Sequence, residues 1–283
     1  MYTDLLMAPA LVALGGVAGL ASSLLGLGAS MIVLPALLWL LPLVGIAAAE
    51  LPQVAIATSM VVTLCTSLAG ARAHWRCGNL TAPFGRQNLT LMLFAAAGAV
   101  VGSSVLPALP ARLSLTMMAV FQAVIATQLW VSRRSLPQDS IGVEPMGDPP
   151  SGLDRAATRA YLACVGCLAS VGLAGSFIVP YLVHVRLPQR MAVALASWLG
   201  IGIALAASLK YADHGLLSRT PSSVGGLAGW VHVQAACLLV VGSFSSVSFG
   251  ADLACKVNPR HLRRVIAVAL LGSSVFTVVV RLQ

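Results

Sequence analysis

Two short segments place residues suited to holding an anion inside otherwise apolar sequence. They read "GLGASMIVLP" at 26–35 and "GLAGSFIVP" at 172–180. A glycine-rich break leaves backbone N–H groups unpaired at the start of the next half-helix. Those groups, together with the positive end of the helix dipole, attract negative charge. The candidate backbone positions are therefore Gly26, Gly28, Ala29 and Ser30 in the first break, and Gly175 and Ser176 in the second. Hydroxyls that could assist are Thr58 and Ser59 in "AIATSM" and Ser197 in "LASW". Two plainer roles compete: small residues allow tight helix packing in membranes, and a Ser or Thr can bond to its own helix backbone.

The charged residues narrow the ligand. All eight acids (Asp4, Glu50, Asp139, Glu144, Asp148, Asp154, Asp213 and Asp252) fall in loops or at the ends of apolar runs. Cation carriers keep a carboxylate inside the membrane, and none is in evidence. The six cysteines form no metal-ligand framework. "CVGC" at 164–167 is a CxxC pair without a counterpart in the first half. A thiol-disulfide carrier built on Cys164 and Cys167 is one alternative function. There is no GxxxxGK[ST] nucleotide loop and no GxSG nucleophile turn, so neither ATP drive nor intramembrane proteolysis is expected. No metal and no cofactor is called for.

The elements that must position these residues are membrane helices. Of 283 residues, 58% are hydrophobic and only 9% charged, against roughly 25% charged in soluble domains. Apolar runs of the length that crosses the hydrocarbon layer recur, so an all-α polytopic membrane protein is expected. The net charge of +9 fits cytoplasmic loops rich in Lys and Arg and not a nucleic-acid partner. The first residues lack a basic n-region and a cleavage site, and read as an uncleaved first helix.

The runs lie at 5–24, 31–46, 53–71, 88–106 and 113–131, then at 159–171, 176–185, 190–209, 227–249 and 265–281. Between the two sets lies a Pro-, Gly- and Ser-rich stretch that reads as a linker. The expected organisation is thus a first repeat at 1–131, a cytoplasmic linker at 132–158 and a second repeat at 159–283. Each repeat is a broken, re-entrant helix pair followed by three membrane-spanning helices. Short echoes agree in order: "LPQ" at 51–53 and 187–189, "ATSM" at 57–60 and "LASW" at 195–198. His74, beside Trp75 and Arg76, reads as an interfacial anchor. If each broken pair returns to the side it entered, thirteen of the seventeen basic residues fall on one side. Cytoplasmic loops concentrate Lys and Arg, so that side is inside and the N-terminus outside. Three net crossings per half then invert the second half relative to the first, a plan common in secondary transporters.

"GLASSLLGLGASMIVLP" followed by "AIATSM" and "HWRCGNL" resembles the TauE/SafE sulfite exporter family, also called TSUP. Gly26 and Gly28 match the first two glycines of its glycine-rich segment, and Ala57, Thr58 and Ser59 match its G/A-T-S motif. Ala29 and Ser30 stand where later glycines would be, and Ala196–Ser197 fits the second motif loosely. The resemblance implies transport of sulfite, sulfonates or related small sulfur-containing anions across the bacterial inner membrane. The expected function is a secondary transporter exporting sulfite or an organosulfonate, and not an enzyme. A selective anion channel is the other alternative. The expected partners are the small anion and membrane lipid. Reporter fusions within 132–158 should score as cytoplasmic; a periplasmic signal would overturn the charge-based topology.

Overall fold

The computed structural model describes residues 2–25, 28–78, 86–105, 109–131, 155–170, 175–185, 187–217, 227–254 and a few positions between 267 and 279. Among the described residues the first half holds five α-helices, α1 (Tyr2–Leu25), α2 (Ser30–Leu40), α3 (Leu51–Arg76), α4 (Arg86–Val105) and α5 (Ala111–Val131), with a short 3-10 helix at Leu41–Val44. The second half contributes α6 (Arg155–Leu168), α7 (Gly175–His184), α8 (Gln189–Leu217) and α9 (Val233–Ala254), with β1 (Leu227–Ala228) and β2 (Val231–His232) before α9. Among the described residues, α3, α4, α8 and α9 contain stretches long and apolar enough to cross a membrane. The chain is an all-α polytopic membrane protein. A helix satisfies its own backbone, which lipid cannot do.

Two expectations need correction. The run at 227–249 is not one helix: its first six residues form an antiparallel hairpin pairing Leu227 with His232 and Ala228 with Val231. Gly229 makes the turn at φ +62°, a conformation L side chains rarely adopt, and a Cβ there would strike the Ala212 carbonyl. The residues Arg155–Thr158, read as linker, already belong to α6, where alanines favour the helix. Residues 132–154, and nine of the seventeen positions in 265–281, lie outside the described residues.

The central helices are α3 and α8, whose apolar stretches are mostly buried, while α4 and α9 present Leu93, Phe94, Val241 and Phe244 outward. Packing partners fall into exchangeable sets: α1 lies along α9 as α4 lies along α6, and α2 meets α3 as α7 meets α8. Glycines make both long contacts possible. A Cβ on Gly15 would overlap the Leu239 carbonyl and one on Gly242 the Val12 carbonyl; Gly98 and Gly166 stand likewise against Ala163 and Ala95. Backbones this close gain dispersion contacts that larger residues would forbid.

Residue order along each contact gives helix directions. Gly15 faces Leu239 and Gly19 faces Ser243, so α1 and α9 run the same way. Ser67 meets Gly200 and Ser197 meets Gly70, so α3 and α8 run oppositely. Thr158 bonds the Tyr181 hydroxyl at 2.9 Å and Tyr161 donates to the Phe177 carbonyl at 3.0 Å. Thus α6 and α7 fold back on each other, with the Tyr161 and Tyr181 rings stacked at 3.9 Å.

Adding a methyl at these backbone contacts should separate helices. Gly98→Ala and Gly242→Ala should each cost about 1–3 kcal/mol through overpacking, read as lowered melting temperature in detergent. Gly16→Ala, whose Cβ would sit 3.8 Å from the Gly242 carbonyl, should melt like the parent. Equal melting of all three would contradict the packing described.

Candidate functional site

The first break ends where α2 begins, against the middle of α3. Gly28 adopts φ +78°, turning the chain into the helix. The N-cap is Ala29, fully buried and without a side-chain oxygen to receive the first helical N–H groups. Alanine is among the poorest N-caps. The cap comes from elsewhere: the Ser30 N–H donates to the Thr63 hydroxyl at 3.1 Å. Thr63 in turn donates its proton to the Ser59 carbonyl at 2.8 Å. The Ser30 hydroxyl is fully buried and has no hydrogen-bond partner among the described residues.

Thr63 stands at the centre of a helix of 26 residues, so the α2 N-terminus sits near mid-span. An unpaired N–H there costs several kcal/mol, which is why a hydroxyl of α3 must reach it. Ser59, Thr63 and Thr66 follow helical spacing on one face of α3, and all three are buried. With Ser67 they make a stripe of hydroxyls leading to the crossing with α8.

The other expected site residues are placed as follows. Gly26 lies outside the described residues, and Gly175 and Ser176 open α7. Thr58 is fully buried, and its hydroxyl accepts the His232 N–H at 3.0 Å. Ser59 donates to the Ile56 carbonyl at 2.8 Å and Ser197 to the Val193 carbonyl at 3.0 Å, both within their own helices. Ser197 faces Gly70, roughly 10 Å along α3 from Thr63 at the helical rise. The structure therefore joins Ser30 with Ser59 through Thr63, and sets Thr58 and Ser197 to either side.

Sequence alone does not single out Thr63 or Tyr211, and leaves His232 between lining a pore and bonding between helices. Thr63 could have been found, since it lies one turn beyond Ser59. His232 caps α9 by accepting the Ala235 N–H on Nδ1 at 3.2 Å, and its backbone ties the hairpin to Thr58. Tyr211 donates to the Ser170 carbonyl at 2.8 Å, satisfying the end of α6 beside the second break. His74 is a correction: it is not an interfacial anchor but is buried, and its ring bonds the backbone of Ser23 near the end of α1. Helix ends leave carbonyls unpaired, and His74 and Tyr211 supply partners at the two ends preceding the breaks. Cys164 and Cys167 are free thiols.

A family model described as "Sulfite exporter TauE/SafE" matches residues 11–277. The chain belongs to the TauE/SafE family. Its relatives include a "Probable membrane transporter protein" of Haemophilus influenzae, 21% identical over 273 residues that cover 96% of this chain and 97% of the relative. Another is the "Probable membrane transporter protein YunE" of Bacillus subtilis, 23% identical over 273 residues covering 92% and 93%. No solved structure matches the chain. In this TauE/SafE member the G/A-T-S motif sits on α3, with Thr58 holding the hairpin and Ser59 holding Thr63.

Removing the Thr58 hydroxyl should strand the buried His232 N–H at a cost of about 1–3 kcal/mol. Thr58→Val should lower the melting temperature and speed hydrogen exchange at the His232 amide, and Thr58→Ser should restore both. Unchanged exchange in Thr58→Val would show that this bond does not hold the hairpin.

Proposed function

We propose that the protein is a secondary transporter of small sulfur-containing anions, exporting sulfite or an organosulfonate across the bacterial inner membrane. The observation that carries this reading is the α2 N-terminus: near mid-span, capped by an alanine, with a buried unpaired hydroxyl at its first residue. Such an end offers N–H groups and a favourable dipole to an anion. Family membership supports sulfite or its relatives as that anion. Backbone groups near Gly28–Ser30 bind first, aided by the hydroxyls of Ser30 and Ser59. Gly175 and Ser176 at the start of α7 offer the matching end from the second half.

The helix directions support two inverted repeats, 1–131 and 159–283, joined by a cytoplasmic linker at 132–158. Equivalent helices α3 and α8 run oppositely, and α6–α7 folds back as a re-entrant pair should. Alternating access is then a rocking, about the two breaks, of bodies built from the cross-paired helices, α1 with α9 and α4 with α6. Thr58 and Ser197 flank the path, Thr58 by closing the hairpin over its outer side and Ser197 at the crossing of α3 and α8. The bound anion moves without covalent change, so the protein is a carrier and not an enzyme.

Proteoliposomes holding the purified protein should take up labelled sulfite, and a pH gradient of one sign should accelerate uptake if protons couple. Methylammonium, a cation of similar size, should not enter. Uptake no faster than in empty liposomes for both sulfite and small sulfonates would overturn the reading.

A further inference from the structure

We propose that Thr63 is a displaceable cap on the anion site, and that the site it covers selects singly charged oxyanions over doubly charged ones. This deepens the transporter reading and rests on it. In the structure Thr63 satisfies the Ser30 N–H at 3.1 Å and spends its own proton on the Ser59 carbonyl at 2.8 Å. The Ser59 carbonyl belongs to a helix, and a second acceptor is not needed for Thr63 to hold α2. Turning the hydroxyl breaks only these side-chain bonds and leaves the α3 backbone intact. An oxyanion arriving at the α2 N-terminus takes the Ser30 N–H in place of Thr63. Rotation about the Thr63 Cα–Cβ bond then aims the released O–H at the same anion. The buried Ser30 hydroxyl, which has no partner among the described residues, supplies a third donor. The empty state is thus closed by the same hydroxyl that the loaded state uses.

The donor set fixes the preferred charge. Between residues 5 and 71 the sequence holds one ionisable acid, Glu50 at the outer start of α3, and no Lys or Arg. The donors that the described residues bring to the α2 N-terminus, the Ser30 N–H and hydroxyl and the Thr63 hydroxyl, are all neutral. Moving a dianion out of water costs about four times as much as moving a monoanion of the same size, because solvation energy grows with the square of the charge. The attraction to fixed dipoles only doubles. Three neutral donors therefore accommodate a sulfonate or hydrogen sulfite and reject sulfate. Selectivity arises from the neutrality of these three donors, and Thr63 sets how tightly the permitted anion is held.

The test is labelled sulfite uptake by the purified full chain in proteoliposomes, slightly below neutral pH, with methanesulfonate and sulfate as competitors. Parent protein should be inhibited by methanesulfonate at concentrations where sulfate has no effect. Thr63→Val should raise the sulfite KM about tenfold, the loss of one charge-assisted bond, and Thr63→Ser should stay within about twofold of the parent by keeping that bond. Ser30→Ala, which leaves the Thr63 cap in place, should raise KM several-fold and serves if Thr63→Val fails to fold. Sulfate competing as well as methanesulfonate would overturn the charge selectivity. A parent-like KM in Thr63→Val, or in Ser30→Ala where the valine variant does not fold, would overturn the role of the cap. No sulfite uptake by the parent protein is a different result: it overturns the transporter reading itself.

Discussion

Within a bilayer every backbone N–H and C=O must find its partner inside the protein, and the rest of this structure follows from how that demand is met at a broken helix. The end of α1 leaves carbonyls that water cannot reach, and the start of α2 leaves N–H groups in the same position. His74 answers the first need and Thr63 the second, both from α3. Tyr211 of α8 answers the matching need at the end of α6. The long central helices thus do more than span the membrane. They carry, at chosen depths, the polar side chains that make interrupted neighbours tolerable. A break supported in this way can stay open to a ligand, because its last partner is a side chain that can rotate and not a rigid backbone group.

Glycine serves two separate purposes in this chain, and distinguishing them clarifies what each segment does. Along α1 with α9 and α4 with α6, glycines let two backbones touch, and a methyl at Gly98 or Gly242 would strike a carbonyl. At Gly28, the need is conformational: φ of +78° turns the chain toward the α2 N-terminus. The first use builds rigid pairs of helices, one from each half. The second builds the point at which we propose the anion is held. A carrier that rocks requires both, since motion at the breaks is useful only if the surrounding pairs move as units.

Much of the fold was legible because lipid imposes a simple grammar. Apolar runs, the interruptions between α1 and α2 and between α6 and α7, and the polar ends of α3 and α8 were all visible in residue types alone. The hairpin before α9 was not. Its residues, "LAGWVH", are as apolar as a helix start, and only the turn at Gly229 and the distant Thr58 hydroxyl make it a hairpin. The candidate site was legible in part. Ser30 stands out by its position after the glycines, and Thr58 and Ser59 by their motif. Which hydroxyl reaches which amide depends on how α2 settles on α3, a long-range fact that spacing does not carry. Hence Thr63 was missed, although Ser59 and Thr63 are one turn apart. His74 was misjudged for a related reason: the residues that follow it, Trp75 and Arg76, are exposed, and only the fold shows that its ring turns inward to Ser23.

The central claim is that an anion sits at the α2 N-terminus, within hydrogen-bonding reach of the Ser30 amide and hydroxyl. Selenite is the heavier analogue of sulfite and scatters anomalously, so it reports its own position in a crystal of the protein. Anomalous density beside Ser30, with the Thr63 hydroxyl turned from the Ser59 carbonyl toward the ion, is the result this account predicts. Density confined to the basic residues at the helix ends, such as Arg72 and Arg76, with Thr63 still bonded to Ser30, would contradict it.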